Sequence, residues 1–552
     1  MNHLIILGKN HDPLENGNLI KQTHGYSFDI EKALKETRLL YEEDTHCPRP
    51  INKRLIPLLF RRVFQKTVQY EYTEMPNTLL DQEGTPVPYW KSQLDQEYTN
   101  LSKETKREVN VADFGAIGDG KTDNTAAFQK AIGKGKVKVI VPEGVFIIKG
   151  LRLPSWTFLE GMGKGATTIK LHPLAPKSRR LITNMHYRRG NHHILVQNLS
   201  LDWNVERLNH NENSSTGSNR SSCLTFANVK YGWVRNTEAI NPGLHCFDIT
   251  SVRYNYSGDG NRASRGSEFI WMDQLTGYGF GDDGITTHHS QHILITHSHM
   301  CDPSGRAHKK GFSNSNGFEI DDGSQNVWLV NNSSARCFGG VEIKAHHNSS
   351  AASNVQIIGH FSFHDNRSYN FRHIGHHYKE HPESKTAYNI MATSIVAMAP
   401  VFSDLYTDSS PRGMVISAYR NVAINHFTLI GDRNYDYKKN PVLAIQYRAQ
   451  NIRLQNVSFR DFSTAGTDLK VFGGDNHADQ VILSNITIDH SSPKGIDIGA
   501  NVHASIKNVK ADCEQGEYGM KSVNPVAHAS SLEIQGYKIP ISIAGKTSNR
   551  IL

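Results

Sequence analysis

One short pattern recurs along most of this chain: a segment of alternating apolar and polar residues that in most copies opens on Asn, His or Gln. From the second copy onward, the copies begin 34, 28, 67, 30, 29 and 24 residues apart. A repeat of this length with no paired helix indicates a solenoid, in which each coil contacts only its neighbours. The copies lie at residues 193–201, 292–299, 326–332, 354–362, 421–429, 451–459, 480–488 and 504–509.

The β-branched residues in each copy predict a parallel β-helix, an all-β fold. Its coils stack about 4.8 Å apart, with apolar side chains inward and polar ones outward. The interval of 67 residues corresponds to two coils plus an excursion. Residues 372–413 break the period and are predicted to form a surface excursion, a common place for binding function.

The first part of the chain follows a different pattern. Residues 1–108 mix helical patterning with Pro, predicting an amphipathic helix over 28–43 and a short polar helix over 94–108. No catalytic grouping is visible there, so we interpret 1–108 as an adapter or oligomerisation segment. The solenoid is predicted over 109–545, with a tail at 546–552.

Composition excludes several classes of function. Lys and Arg number 61 against 53 Asp and Glu, and this excess of +8 forms no run or stripe, so nucleic acid is not an expected partner. The six Cys have no CxxC spacing, which argues against a zinc module or a disulfide scaffold. No apolar window approaches a membrane span, and the apolar start is too short for a signal peptide. We therefore expect synthesis in a cytoplasm without such a leader, and release by lysis or a non-Sec route if the protein acts outside.

Four segments, 246–250, 284–288, 317–321 and 340–344, align if their apolar residues point inward. The alternate positions then form two outward columns on successive coils. The first column is Asp248, Thr286, Glu319 and Glu342; the second is Thr250, His288, Asp321 and Lys344. Beside the columns lie Asp282 and Asp283 at a turn, Asp322 at a strand exit, and His346 after a strand end.

Such columns suit glycoside hydrolysis. Carboxylates one rung apart lie about 5 Å from each other, and neighbours two residues apart on one strand about 7 Å, which spans the separations that the chemistry requires. Glu319 with Asp321 or Glu342, helped by Asp282 or Asp283, is the predicted acid/base set. The alternative is a solvated salt-bridge ladder in which Lys344 neutralises Glu319 and Asp321.

Other candidates are less specific. Arg372 and His373 lie one coil beyond Lys344 and are predicted to extend the groove toward an acidic substrate, although a structural turn explains them equally well. Pairs of adjacent His residues point to opposite faces of a strand, which weakens them as metal ligands. We predict no metal and no cofactor.

Residues 111–132, Val-Ala-Asp-Phe-Gly-Ala-Ile-Gly-Asp-Gly-Lys-Thr-Asp and the helical stretch that follows, resemble the start of pectate-lyase-superfamily β-helix domains. That superfamily holds polygalacturonase-like hydrolases, polysaccharide lyases, epimerases and bacteriophage tailspikes. Residues 281–346 resemble the β-helix tail proteins of phages that infect Gram-positive bacteria. Asp282 and Asp283 match the paired Asp of polygalacturonases. The chain lacks the Gly-His-Gly of that family and has Glu342-Ile-Lys344 where the family has Arg-Ile-Lys, so pectin is not the expected substrate.

The resemblance implies a right-handed β-helix and a homotrimeric virion tail protein that contacts other phage tail proteins through residues 1–108. It further implies binding and cleavage of a bacterial cell-surface polysaccharide or teichoic acid. Glu319, Asp321, Asp282 and Asp283 would act as acid and base, while Lys344 and His288 would orient substrate. Two alternatives remain open: a lyase or C5-epimerase acting on a uronate glycan, and a non-catalytic adhesin.

Overall fold

The computed structural model describes residues 7–42, 77–217, 219–252, 254 and 265–548. Four α-helices lie in these ranges: α1 (Asn16–His24), α2 (Ile30–Glu42), α3 (Lys91–Glu104) and α4 (Thr125–Ile132). Short 3₁₀ turns occur at Pro13–Glu15, Val111–Phe114 and Val205–Arg207. Within the described part of the chain, no helix is long and apolar enough to cross a membrane.

The rest of the regular structure is β-strand. A small antiparallel pair, β1 (Thr78–Leu80) and β2 (Pro86–Pro88), precedes the large sheet. The large sheet begins with β3 (Arg107–Asn110), β4 (Asp119–Asp123), β5 (Val137–Ile140), β6 (Gly144–Ile148), β7 (Leu151–Leu153), β8 (Thr157–Glu160), β9 (Thr167–Leu171), β10 (Ile182–Asn184), β11 (Asn191–Asp202), β12 (Leu224–Ala227), β13 (Val229–Ile240) and β14 (Phe247–Thr250). It continues with β15 (Glu268–Asp273), β16 (Thr276–Tyr278), β17 (Ile285–Thr287), β18 (Gln291–Thr296), β19 (His299–Cys301), β20 (Asn316–Ile320), β21 (Gln325–Ala335), β22 (Gly339–Ala345), β23 (Ser353–Phe363) and β24 (Arg367–His373). It ends with β25 (Tyr388–Met398), β26 (Arg412–Ser417), β27 (Arg420–Ile430), β28 (Pro441–Gln446), β29 (Gln450–Arg460), β30 (Thr467–Val471), β31 (Asp479–Asp489), β32 (Lys494–Ile498), β33 (Ala504–Ser522), β34 (His528–Ile543) and β35 (Lys546–Ser548).

Apart from β35, which pairs antiparallel with β34, the strands of the large sheet pair in parallel from one coil to the next, which confirms the predicted parallel β-helix. Long strands such as β11 contribute to two faces, because β11 pairs first with β8 and then with β9. The third face, here called the site ladder, is built from shorter strands. The site ladder consists of β7, β10, β12, β14, β17, β20, β22, β24, β26, β28, β30 and β32 in that order.

The predicted register on the site ladder is confirmed. Phe247 pairs with Ile285, and the row continues through Phe318 and Val341, all with buried side chains. This row belongs to the apolar core that fills the solenoid from coil to coil. The alternate column, Asp248, Thr286, Glu319 and Glu342, is in register as predicted and points away from that core.

The second residue of each of five successive long strands, β21, β23, β25, β27 and β29, is an asparagine, and these asparagines form a hydrogen-bonded column. Asn389 donates its amide to Asn354 at 2.8 Å and accepts from Asn421 at 3.2 Å; the same pattern joins Asn326 to Asn354 and Asn421 to Asn451. Each of these residues has a positive φ, between 52° and 68°. Asn tolerates this left-handed conformation better than most residues, and its side chain can satisfy the next amide in the stack. This explains why so many copies of the sequence pattern open on Asn.

The predicted excursion over residues 372–413 needs correction. The strand β25 lies inside it and forms a full rung between β23 and β27. Departures from the coil are therefore confined to two shorter stretches, 374–387 and 399–411. The sequence pattern is weak in this strand because Tyr388-Asn-Ile-Met-Ala-Thr contains small and unbranched residues. Its Asn389 marks the coil that the 67-residue interval concealed.

The described parts of residues 1–108 pack along the flank of the solenoid. In α1, Asn16 donates its amide to the Asn331 carbonyl at 2.9 Å, and His24 contacts the Thr428 hydroxyl at 2.8 Å. Trp90, just before α3, and Leu94, within α3, pack in an apolar cluster with residues from the strands of the flank. The two predicted helices correspond to α2 and α3, and the first solenoid strand, β3, begins at Arg107. The segment between residues 43 and 76 lies outside the described residues.

We predict that Asn389→Ala lowers the free energy of unfolding by about 2–4 kcal/mol, because two ladder hydrogen bonds are lost and Ala must adopt a positive φ. Asn389→Gly should lose less, since Gly accepts that φ without strain. Denaturant unfolding followed by circular dichroism measures both. Asn434→Ala, at an exposed loop position, is the matched control. Equal stability of Asn389→Ala and wild type would contradict a structural role for the column.

Candidate active site

The ionisable residues predicted from the register lie together on the site ladder, where β14, β17, β20, β22 and β24 stack. The rigid spacing of these strands holds the side chains in two neighbouring columns, as expected. The ladder did not prove to be solvated: Glu319, Asp321 and Lys344 are each at most 5% exposed. This burial distinguishes the cluster from a surface salt-bridge ladder.

Lys344 lies at the centre of the cluster. Its Nζ is 2.5 Å from Glu319 Oε1 and 3.9 Å from Glu342 Oε2. Glu342 is bound on its other side by Arg372, whose Nε lies 2.5 Å from Oε1, and by the Asn370 amide at 2.9 Å. Burial opposes the charged form of Lys344, but the surrounding carboxylates outweigh it and raise the pKa of Lys344 well above its ordinary value. The ammonium is therefore a permanent positive charge in the site.

His288 bridges two carboxylates. Its Nδ1 is 3.8 Å from Asp248 Oδ1, and its Nε2 is 3.6 Å from Asp321 Oδ2. The ring of Tyr254 stacks on the imidazole, with ring centroids 3.8 Å apart. Burial disfavours the imidazolium, yet the two carboxylates prevail and raise the pKa of His288 to about 10. His288 is thus a second fixed cation at neutral pH.

Asp282 and Asp283 occupy the turn before β17 and differ in their surroundings. Asp282 lies 2.9 Å from His308 Nε2 and 3.7 Å from His245 Nε2. Although burial opposes ionisation, these two histidines hold the pKa of Asp282 well below its ordinary value. By contrast, burial and the charges of Asp282 and Glu319 raise the pKa of Asp283 well above its ordinary value. The surroundings therefore favour the ionised form of Asp282 and the protonated form of Asp283.

Asn316 orients Asp283. Both its backbone N–H and its side-chain amide donate to Asp283 Oδ1, at 2.9 and 3.0 Å, and the amide also reaches Glu319 Oε1 at 3.2 Å. Because Oδ1 accepts two hydrogen bonds, Oδ2 is the atom left to carry a proton. That oxygen faces His245 Nε2 at 3.6 Å.

Asp322 closes the cluster at the strand exit. Its Oδ2 accepts from the Tyr254 hydroxyl at 2.9 Å and lies 3.1 Å from His346 Nδ1. Burial disfavours its charge, but interactions with His346 hold the pKa of Asp322 below its ordinary value, while that of His346 is raised. Asp321 has a lowered pKa as well, because Lys344, His346 and His288 outweigh burial and the charge of Asp322.

Two irregular segments outside the site ladder, residues 302–315 and 399–411, cover these columns. Ser313 donates its backbone N–H to the Leu405 carbonyl at 2.8 Å, and Phe312 forms a bridge with Tyr406. A cavity of about 370 Å³ lies between the segments and is lined by His210, Glu212, Arg306, His308, Lys310 and Asp404, among others. His308 also contacts Asp282, so the cavity leads toward the Asp282–Asp283 pair.

Several contributing residues were not assigned from the sequence. His245 and His308 lie outside the aligned segments, and neither follows a recognisable spacing. His308 in particular lies in an irregular segment, where register gives no information. Asp248 was in the predicted column but received no role. In contrast, the predicted binding residue His373 is fully buried, and its ring contacts the Ser384 hydroxyl at 2.7 Å and the Ser349 carbonyl at 3.1 Å, so its contacts are internal.

Three groups of described residues have donor atoms close enough together for a metal ion, each set of three within 4.8 Å. The groups are His245, Asp282 and Asp283; His288, Glu319 and Asp321; and Asp321, Asp322 and His346. In the first group, Asp282 faces His308, and in the other two groups the carboxylates face Lys344, His288 and His346. Side chains of the chain itself therefore balance much of the negative charge.

The fold and site define a parallel β-helix protein of the pectate-lyase-like class. The family model described as rhamnogalacturonase A/epimerase, pectate lyase-like, matches residues 108–359. The chain is 47% identical to the phage-related protein YobO of Bacillus subtilis (strain 168), over 87% of this chain and 59% of that protein. It is 39% identical to the pre-neck appendage protein of Bacillus phage phi29, over 80% of this chain and 52% of that protein.

A solved structure extends this similarity. The crystal structure of an N-terminal fragment of bacteriophage phi29 gene product 12 has 36% sequence identity and a TM-score of 0.74, covering 84% of this chain and 76% of the fragment. The chain belongs to this family of pectate-lyase-like β-helix proteins, which includes appendage proteins of Bacillus phages. It spans between half and three fifths of the length of the two curated relatives above.

The raised pKa of His288 makes stability depend on pH. The imidazolium stabilises the folded state fully below its ordinary pKa of 6.5, and this contribution is lost as pH rises toward about 10. We expect His288→Gln to unfold more easily at pH 6 and to show a shallower loss of stability between pH 6.5 and 10. Thermal unfolding across that range measures the difference. His503→Gln, at an exposed ring, should keep the wild-type slope; an unchanged slope in His288→Gln would contradict the assignment.

Proposed function

We propose that this chain is the β-helix part of a phage appendage that binds and hydrolyses a cell-surface polysaccharide or teichoic acid of a Gram-positive host. The observation that carries the proposal is the Asp282–Asp283 pair: two adjacent carboxyls with opposite environments, one of which contacts His308 in the lining of a cavity. Acid/base catalysis of glycoside hydrolysis needs one protonated and one ionised carboxyl. The surroundings of Asp283 favour a bound proton and those of Asp282 favour a negative charge, which supports assigning them these two roles.

In this proposal Asp283 is the general acid. Asn316 binds its Oδ1, which leaves Oδ2 to deliver a proton to the leaving-group oxygen. Asp282 is the general base, because His308 and His245 stabilise its charged form and its side chain is the more exposed of the two, 8% against 3%. It would accept a proton from the attacking water.

The neighbouring charges would have supporting roles. Lys344 and Glu319 form a buried pair one rung beyond the turn, and Glu319 also shares the Asn316 amide with Asp283. The negative charge of Glu319 favours the protonated form of Asp283. In this proposal Lys344 and Arg372 would meet negative charge on the substrate, and His288 would hold Asp321 in position. Asp321, Asp322 and Glu342 would act by positioning these cations.

The virion role is supported by the relatives. Two features of the chain fit it: an elongated rigid solenoid, and an N-terminal segment whose described parts lie along the outside. We propose that residues 1–108 contact other tail proteins and that the appendage is a homotrimer, located on the virion tail. Analytical ultracentrifugation of the full chain tests the trimer.

The catalytic proposal is tested on Gram-positive cell walls. Wild type should release soluble product with new reducing ends, and Asp283→Asn should release at least about 10²-fold less, the usual contribution of a general acid. Asp282→Asn should show a comparable loss. Asp408→Asn, at an exposed position of the covering segment, should keep wild-type activity.

Other outcomes separate the alternatives. Product that absorbs in the ultraviolet as an unsaturated uronate, without a reducing end formed from water, would replace the hydrolase by a lyase. Binding to cell walls with no product, equal in wild type and both variants, would leave an adhesin whose buried charges are structural.

A further inference from the structure

A second cavity lies beside the first coils of the solenoid, well before the carboxylates. Its volume is about 760 Å³, and no Asp or Glu is among its lining residues. Five of the residues that line it are basic: Lys149, Arg152, Arg179, Arg180 and Arg220. We call this cavity the basic groove.

Most of this charge is unneutralised. Among the described residues, the one ion pair that a lining residue makes is Lys149 Nζ with Asp123 Oδ2, at 2.8 Å. Arg152, Arg179 and Arg220 are exposed. Arg180 is held against the Tyr187 ring, and its Nε is buried without a hydrogen-bond partner. Exposed like charges repel, so a concentration of this kind in one concavity is costly unless an anion binds there.

The basic groove and the candidate active site share one ladder. Arg152 on β7 pairs with Thr183, Thr183 with Thr225, and Thr225 with Asp248. The same column then runs through Thr286 to Glu319. Arg152 is therefore five rungs before Glu319, a distance of about 24 Å at about 4.8 Å per rung.

The rungs between the two sites carry buried polar atoms with no protein partner. Thr225 Oγ1 and Asp248 Oδ2 lie in the connecting column, and Ser222 Oγ lies in the turn before β12. All three side chains are fully buried, where an unsatisfied polar atom costs about 1–3 kcal/mol. Because these side chains are fully buried, they lie beneath the surface along which a bound glycan would run.

We propose that the basic groove binds the anionic groups of a glycan strand whose cleavage site lies at Asp282 and Asp283. The inference rests on the proposed function for the location of the cleaved bond. Guanidinium groups bind phosphate and carboxylate with paired hydrogen bonds, so the ligand is a polymer that carries a negative group on its repeating unit. The glycan would run along the site ladder. The basic groove would bind its anionic groups, and its scissile bond would lie at Asp282 and Asp283.

The test is a binding measurement on the full chain carrying Asp283→Asn, so that turnover does not consume the ligand. The probes are poly(glycerol phosphate), polygalacturonate and uncharged dextran, which separate phosphate, carboxylate and neutral sugar. In calorimetric titration, Arg152→Gln with Arg179→Gln and Arg220→Gln should weaken binding of an anionic probe at least tenfold. Raising the salt concentration should weaken wild-type binding and affect the triple variant less.

The matched control replaces three exposed basic residues of later coils, Lys438, Lys439 and Arg460, by Gln. It should bind within twofold of the parent, and thermal unfolding should show that both triple variants are folded. Equal binding by the groove variant and the parent would overturn the proposal, as would equal binding of dextran. Duplex DNA or anionic vesicles that bind as tightly as the glycans would also overturn it.

Failure of the proposed function gives a different result. In one outcome, wild type binds the anionic probe through Arg152, Arg179 and Arg220 but releases no product from cell walls. That result would support the groove proposal and overturn the hydrolase proposal. If wild type releases product, and the chain with Arg152→Gln, Arg179→Gln and Arg220→Gln but an intact Asp283 binds and cleaves normally, the hydrolase proposal is supported and the groove proposal is overturned.

Discussion

The constraint on which this structure depends is the stacking of backbone rungs at a fixed spacing. Each coil is hydrogen-bonded to the next in parallel register, so a side chain in one coil has a set neighbour in the next. The same regularity builds the core from rows such as Phe247, Ile285 and Phe318. It also builds the asparagine column around Asn389 and brings Asp248, Glu319 and Glu342 into line. The apolar core, the asparagine column and the candidate site all follow from this fixed spacing of the coils.

Burial gives the charged column its chemical character. In water, a line of carboxylates and cations would contribute little to the stability of the fold, and few of their pKa values would be shifted. Covered by the segments around Phe312 and Leu405, the same groups must be paired, and their charges are distributed unevenly between neighbours. Asp282 gains two histidines, whereas Asp283 lies beside like charges. A repetitive scaffold thereby shifts the pKa values of two adjacent carboxyls of one turn in opposite directions.

The fold was largely predictable because each coil of a solenoid repeats the same pattern of apolar and polar residues at regular intervals in the sequence. Alternation of apolar and polar residues gave the register of Glu319 and Glu342 correctly, since the side-chain period of a strand admits only two faces. The coil at β25 was missed because small residues in 388–398 weaken the pattern. His308 could not be placed at all, since it lies in an irregular segment whose path depends on distant contacts.

The spacing of the repeats is sufficient to establish a parallel β-helix, its inward rows and the column that carries the candidate acids. Local sequence encodes these features, because hydrogen bonding between successive coils leaves one register that buries the apolar residues. Tertiary packing decides the rest. Four features bring together segments that are far apart in the chain. They are the segments that cover the charged column, the histidines beside Asp282, the packing of residues 7–42 against the flank, and the basic groove five rungs before Glu319. Their effect on charge and burial arises only when the coils are closed and the intervening segments fold back over them.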